Sequence, residues 1–142
     1  QRNLNANGRK QAHIIGEFFV KNNIEIDKVI SSEWCRCKET AAIAFKNYSI
    51  KSFLNSFYSS KYVKNKDKQV RELDKYVQNF KSKKNLIFVT HYVLISEVLG
   101  YGPSSKAMRQ AQKQAFARHR SNITNSRYGK KKIFSVKNKK KN

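Results

Sequence analysis

The sequence is short of acid: nine Asp and Glu stand against 31 Lys and Arg, a formal net charge of +22. That balance points to a polyanionic partner, whether nucleic acid, an acidic membrane surface or a phosphate-bearing ligand. Cysteine is scarce as well. Cys35 and Cys37, one residue apart, cannot build an ordinary disulfide framework, and no further cysteine or matched histidine pair exists to complete a metal site. They are expected to pack as small hydrophobes, and no metal or cofactor is expected. Long apolar runs are missing too, so nothing resembles a secretory signal or a membrane span. A reducing, cytoplasmic setting without membrane contact is the expectation.

What is present is enough for one folded unit. A chain of 142 residues buries about two thirds of its surface in a single core, and its apolar residues fall in distinct blocks. The charge is unevenly placed. Residues 1–105 hold 18 Lys+Arg and all nine acids, net +9, whereas residues 106–142 hold 13 Lys+Arg and no acid. Composition therefore divides the chain into a domain over residues 1–103 and a basic tail over residues 104–142.

Within the domain, Ala12, Ile15, Phe18 and Phe19 recur at helical spacing, which predicts a helix over Gly8–Lys21 with Asn7 as its cap and Asn22-Asn23 as its stop. "KVISS" reads as a strand leading into an alanine-rich helix from Cys35 to Phe45. The aromatic, serine-rich stretch that follows is read as a loop with one short strand around residues 52–57. Val70, Leu73, Val77 and Phe80 form a second helical stripe, with Asp67 near its start and Lys81, Lys83 and Lys84 past its end, where each suits the helix dipole. "NLIFVTH" is apolar on both faces and too short for a helix, so it reads as a buried parallel strand. A short helix follows and stops at Gly100. This order implies an α/β fold: three layers, with a mostly parallel sheet flanked by helices.

Two places share one geometry. "VISS" runs into "EWCRCKETA" and "LIFVT" runs into "HYVLISEVLG", each a strand whose carboxyl end turns into a helix, where open α/β sheets place their ligand sites. Helix N-termini at such junctions favour anions. Arg36 at one junction and His91 at the other are therefore expected to converge on one phosphate.

Taken in order, "RNLNANGRKQA", "VISSEWCRCKETA" and "LIFVTHYVLISEVLG" resemble the histidine phosphatase superfamily, also called phosphoglycerate mutase-like, over about residues 1–103. The resemblance implies a phosphomonoester hydrolase acting on a phosphorylated small molecule or phosphoprotein through a phosphohistidine. It gives Arg36 the role of clamping phosphate oxygens, for which a planar guanidinium is suited. It gives His91 the role of the second catalytic histidine, bonded to the transferring phosphoryl group. In that family the nucleophile lies in an Arg-His-Gly motif after the first strand. No Arg-His-Gly occurs here, and the sequence opens on "QRNLNANGRKQA", so an N-terminally truncated, inactive domain lacking its first strand is expected. His13, in mid-helix, and His119, in the basic tail, do not replace the nucleophile. The family's general acid commonly follows the arginine helix, yet no Asp or Glu occurs between Thr40 and Lys66. Glu33 is the candidate.

The tail supports a reading from another class, a basic nucleic-acid-binding protein whose contacts are salt-dependent and blind to sequence. It contains no recognisable reading module and few stacking aromatics. The family pattern also ends abruptly at Lys106, where Lys- and Asn-rich sequence begins. A shifted reading frame in AT-rich coding sequence produces such a break, so the tail is expected to be disordered or aberrant.

Overall fold

The structure, a computed structural model, describes residues 2–100. The expected basic tail lies outside the described residues. Four α-helices and three strands alternate along the described chain: α1 (Ala6–Lys21), β1 (Ile26–Ser31), α2 (Cys35–Phe45), β2 (Ser49–Ile50), α3 (Lys66–Asn79), β3 (Asn85–Val89) and α4 (Tyr92–Leu99). The strands form one parallel sheet in the order β2-β1-β3.

Period-two alternation along the strands sends side chains to both faces. Val29, Ile87 and Val89 pack on one side with Phe19 of α1 and with Cys37 and Ala41 of α2. Ile30, Leu86 and Phe88 pack on the other side with Leu73 and Val77 of α3 and Leu94 and Val98 of α4. The result is the expected three-layer α/β arrangement, and "NLIFV" is apolar throughout because both its faces are covered.

Local chemistry sets the helix ends. Asn5, not Asn7, caps α1: its Oδ1 accepts the Gly8 N–H at 2.8 Å, and Asn7 already lies inside the helix. At the other end the Asn22 amide donates to the Phe18 carbonyl and Asn23 takes a positive φ of 49°, so the two asparagines stop the helix as expected. Gly100 ends α4 at φ 74°, the left-handed conformation that glycine accepts without strain. Lys81 Nζ donates to the Gln78 carbonyl at the close of α3.

The strand expected near residues 52–57 is displaced. Pairing with β1 occurs earlier, at Ser49 and Ile50, and Lys51 N–H still donates to the Ser31 carbonyl at 3.0 Å. Beyond it the carbonyls that a ladder would use are taken by side chains. Gln69 Nε2 binds those of Ser52 and Asn55, and Thr90 Oγ1 binds that of Leu54 at 2.6 Å. Residues 52–54 therefore form a 3-10 turn, with Phe53 and Leu54 buried.

α1 and α2 lie very close together. A Cβ at Gly16 would overlap the carbonyl of Ala44, so this crossing requires glycine. The N-terminal segment is pinned to the same helix: Glu39 accepts the Leu4 N–H at 2.6 Å and pairs with Arg9 at 2.9 Å.

Candidate active site

β1 and β3 are hydrogen-bonded neighbours, with Ser31 opposite Val89, and the pairing runs one step further as Ser32 N–H donates to the Val89 carbonyl at 3.0 Å. The two strand-to-helix junctions picked out in the sequence are thus adjacent. α2 leaves β1 toward one face of the sheet and α4 leaves β3 toward the other, the arrangement at the carboxyl ends of strands where open α/β sheets place ligand sites. Both helix N-termini begin there, and their unpaired N–H groups favour negative charge.

Ser32 is completely buried in this seam. Its Oγ lies 2.9 Å from His91 Nε2 and accepts the Trp34 N–H at 3.1 Å. One hydroxyl thus fixes both the imidazole and the first turn of α2. Ser31, equally buried, donates to the Ser32 carbonyl. Side chains this small and polar suit the positions, because a larger one would fill the seam.

His91 is the N-cap residue of α4. The Trp34 ring meets its imidazole edge to face at 4.7 Å, and Cys37 Sγ lies 3.7 Å from Nε2. Burial, and then the nearby Arg36 charge, push its pKa down to about 4, so the ring is neutral at neutral pH. Arg36 occupies the first turn of α2, where its carbonyl accepts Thr40 Oγ1 at 2.8 Å. No carboxylate among the described residues pairs with its guanidinium, since Glu39, the nearest acid along the helix, is engaged by Leu4 and Arg9. Arg36 thus lies near enough to His91 for its charge to act on the ring.

Cys37 is a packing residue, as expected, whereas Cys35 is only partly buried and lies in neither core cluster. Cys37 is buried among the apolar side chains between α2 and the sheet. Burial raises its pKa, with the Ser32 hydrogen bond and Arg36 opposing, so it remains a thiol rather than a nucleophilic thiolate. Among the described residues no group of three His, Cys, Asp or Glu is placed to hold a metal ion. No helix among them is long and apolar enough to cross a membrane.

Glu33, the candidate proton donor, is exposed, and its carboxylate accepts from the Asn55 amide. Asn55 Oδ1 in turn accepts the Glu33 N–H at 2.9 Å. His13 is exposed on α1 and Arg2 is exposed at the start of the described chain. Sequence reasoning passed over Trp34, Asn55 and Glu39. Trp34 had a signal, being an aromatic residue inside the Ser-Ser to Arg36 junction, whereas the two others act through partners 22 and 35 residues away, a distance no local pattern reports.

Residues 2–55 match the family profile described as "Histidine phosphatase superfamily (branch 1)". Over these residues the chain is similar to the histidine phosphatase superfamily. The matched segment contains Ser32 and Arg36, and His91 is joined to it by the Ser32 hydrogen bond. Among solved structures, the chain is similar to that of the open reading frame Rv3214 from Mycobacterium tuberculosis, with a TM-score of 0.51 and 15% identity over 70% of this chain and 68% of that one. A likeness at this identity shows a shared fold. No curated protein matches in sequence.

Proposed function

We propose that the seam between β1 and β3 binds the phosphoryl group of a phosphomonoester, as part of a phosphatase that works through a phosphohistidine. The observation that carries this reading is the pairing of an uncompensated Arg36 with a neutral, Ser32-held His91 at two converging helix N-termini. Arg36 would clamp two phosphate oxygens with parallel N–H bonds. His91 would hydrogen-bond a third oxygen and stabilise the charge that builds as phosphorus is attacked.

The attacking histidine must come from outside the described residues, because His13 faces solvent on the outer side of α1. Nor does the sequence contain an Arg-His-Gly motif. The 142-residue chain is therefore expected to bind phosphate while hydrolysing almost nothing. Glu33 would serve as proton donor only once Asn55 releases it.

Calorimetric titration with inorganic phosphate tests the binding. Arg36→Ala should weaken it at least about tenfold, in line with charge-assisted hydrogen bonds, and Arg36→Lys should restore little because lysine lacks the bidentate fork. Unchanged affinity in both variants would remove the reading. Hydrolysis of p-nitrophenyl phosphate by the chain that vanishes on His91→Ala would overturn the claim that the nucleophile lies elsewhere.

A further inference from the structure

One wall of the seam is aromatic, and neither Arg36 nor His91 accounts for it. Trp34, two residues before Arg36, sets its ring 4.7 Å from that of His91 and 6.4 Å from that of Tyr62. Tyr62 is 37% exposed, and Lys61 Nζ lies 5.6 Å from the centre of its ring. Trp34 therefore links His91 and Tyr62 through two edge-to-face ring contacts. Trp34 is only partly buried and does not belong to either hydrophobic core. A partly exposed indole that contributes to no core and lies against His91 is available for contact with a ligand.

From this arrangement we infer that the site selects aryl phosphomonoesters, in which an aromatic ring attached directly to the phosphate oxygen packs against Trp34 and Tyr62. The inference rests on the phosphate reading above. Spacing limits the class: because Trp34 touches His91 itself, the ligand's ring must lie next to the phosphate, as it does in a phenyl ester.

A second observation points the same way. No Asp or Glu occurs between Thr40 and Lys66, and Glu33 is engaged with Asn55. A phenol ionises near 10, far below the roughly 15.7 of water, so a phenolate depends much less on a proton donor than an alkoxide does. A site with few free carboxylates suits the aryl ester.

The test uses the full 142-residue chain and three probes: inorganic phosphate, glycerol 2-phosphate and phenyl phosphate. Affinities are measured by calorimetry, and in the wild type also by the fluorescence of Trp34, the single tryptophan. Phenyl phosphate should bind about tenfold more tightly than glycerol 2-phosphate, the scale of one good aromatic contact. The readout is that ratio, which is insensitive to changes common to all phosphates. Trp34→Leu should bring the ratio close to one, Tyr62→Leu should reduce it, and Trp34→Phe should keep most of it. If phosphate binds in an Arg36-dependent way but the wild-type ratio is one, aryl selection is wrong and the phosphate site stands. A ratio that persists in Trp34→Leu also overturns aryl selection by this wall. If none of the probes binds, both readings fall.

Discussion

The Oγ of Ser32 lies 2.9 Å from Nε2 of His91, a contact between residues 59 apart in sequence that joins the ends of two neighbouring parallel strands. The same oxygen accepts the Trp34 N–H, so one buried hydroxyl couples the start of α2 to the start of α4. Ser32→Ala removes both interactions. It should cost about 1–3 kcal/mol of stability, the scale for leaving buried polar groups unsatisfied, and should weaken phosphate binding as His91 loses its fixed orientation. Urea unfolding and calorimetry on the variant check the two effects, and a fully stable variant with wild-type phosphate affinity contradicts the coupling.

His91 also makes stability depend on pH. Its folded pKa is held at about 4, against 6.5 in the unfolded chain. Above pH 6.5 both states are neutral and the group has no effect. As pH falls through 6.5 the unfolded chain takes up the proton first, so stability declines across the window down to about pH 4, where the folded state also titrates. Wild-type stability measured from pH 7.5 to 4 should fall more steeply than that of His91→Gln. Parallel curves would mean that His91 is not buried as described.

Gly16 is under a separate constraint, imposed by the approach of α1 to α2. Gly16→Ala gains up to about 1 kcal/mol of helix propensity but drives a methyl group into the backbone carbonyl of Ala44, which cannot yield as a flexible side chain would. Overpacking of this kind costs about 1–3 kcal/mol, so the variant should melt at a lower temperature. A higher melting temperature would mean that the two helices can separate freely.

Those three predictions draw unequally on what the sequence reveals. Strand β3 was legible because "LIFV" is apolar at every position, the mark of a strand covered on both faces, and α2 was legible to its terminal residues. Arg36 and His91 could be named because each stands at a strand-to-helix junction, where residue type and position carry the same message. Their adjacency needed the strand order, which no local pattern contains. The loop after β2 was misplaced because its hydrogen bonds are settled by Gln69 and Thr90, distant side chains that convert a possible ladder into a 3-10 turn. Asn5 displaced Asn7 as cap because both asparagines fit the rule, and only the backbone path decides which one reaches the Gly8 amide.

The basic segment allows a test of the nucleic-acid reading. Residues 106–142 hold 13 Lys+Arg and no acid. If this segment binds nucleic acid, affinity for a mixed-sequence DNA duplex should drop about a thousandfold or more between 50 and 200 mM salt once six or more phosphates are contacted. A chain ending at residue 105 should lose the binding. Equal binding by the shorter chain would assign the effect to the domain instead.

Anion binding should also leave a signature on His91 itself. In the free protein, burial and the Arg36 charge both oppose protonation of the ring. A dianion seated between Arg36 and His91 neutralises the first charge and attracts the second, so the bound-state pKa must rise above about 4. By linkage the affinity for that dianion then increases as pH falls from the bound value toward the free one, because binding and protonation favour each other. Sulfate is the suitable probe, since it remains a dianion throughout this range while phosphate does not. Histidine ring resonances followed by NMR across pH, with His91 assigned from its loss in His91→Gln, should move to a higher titration midpoint when sulfate is added. An unchanged midpoint would show that the anion does not sit beside this ring.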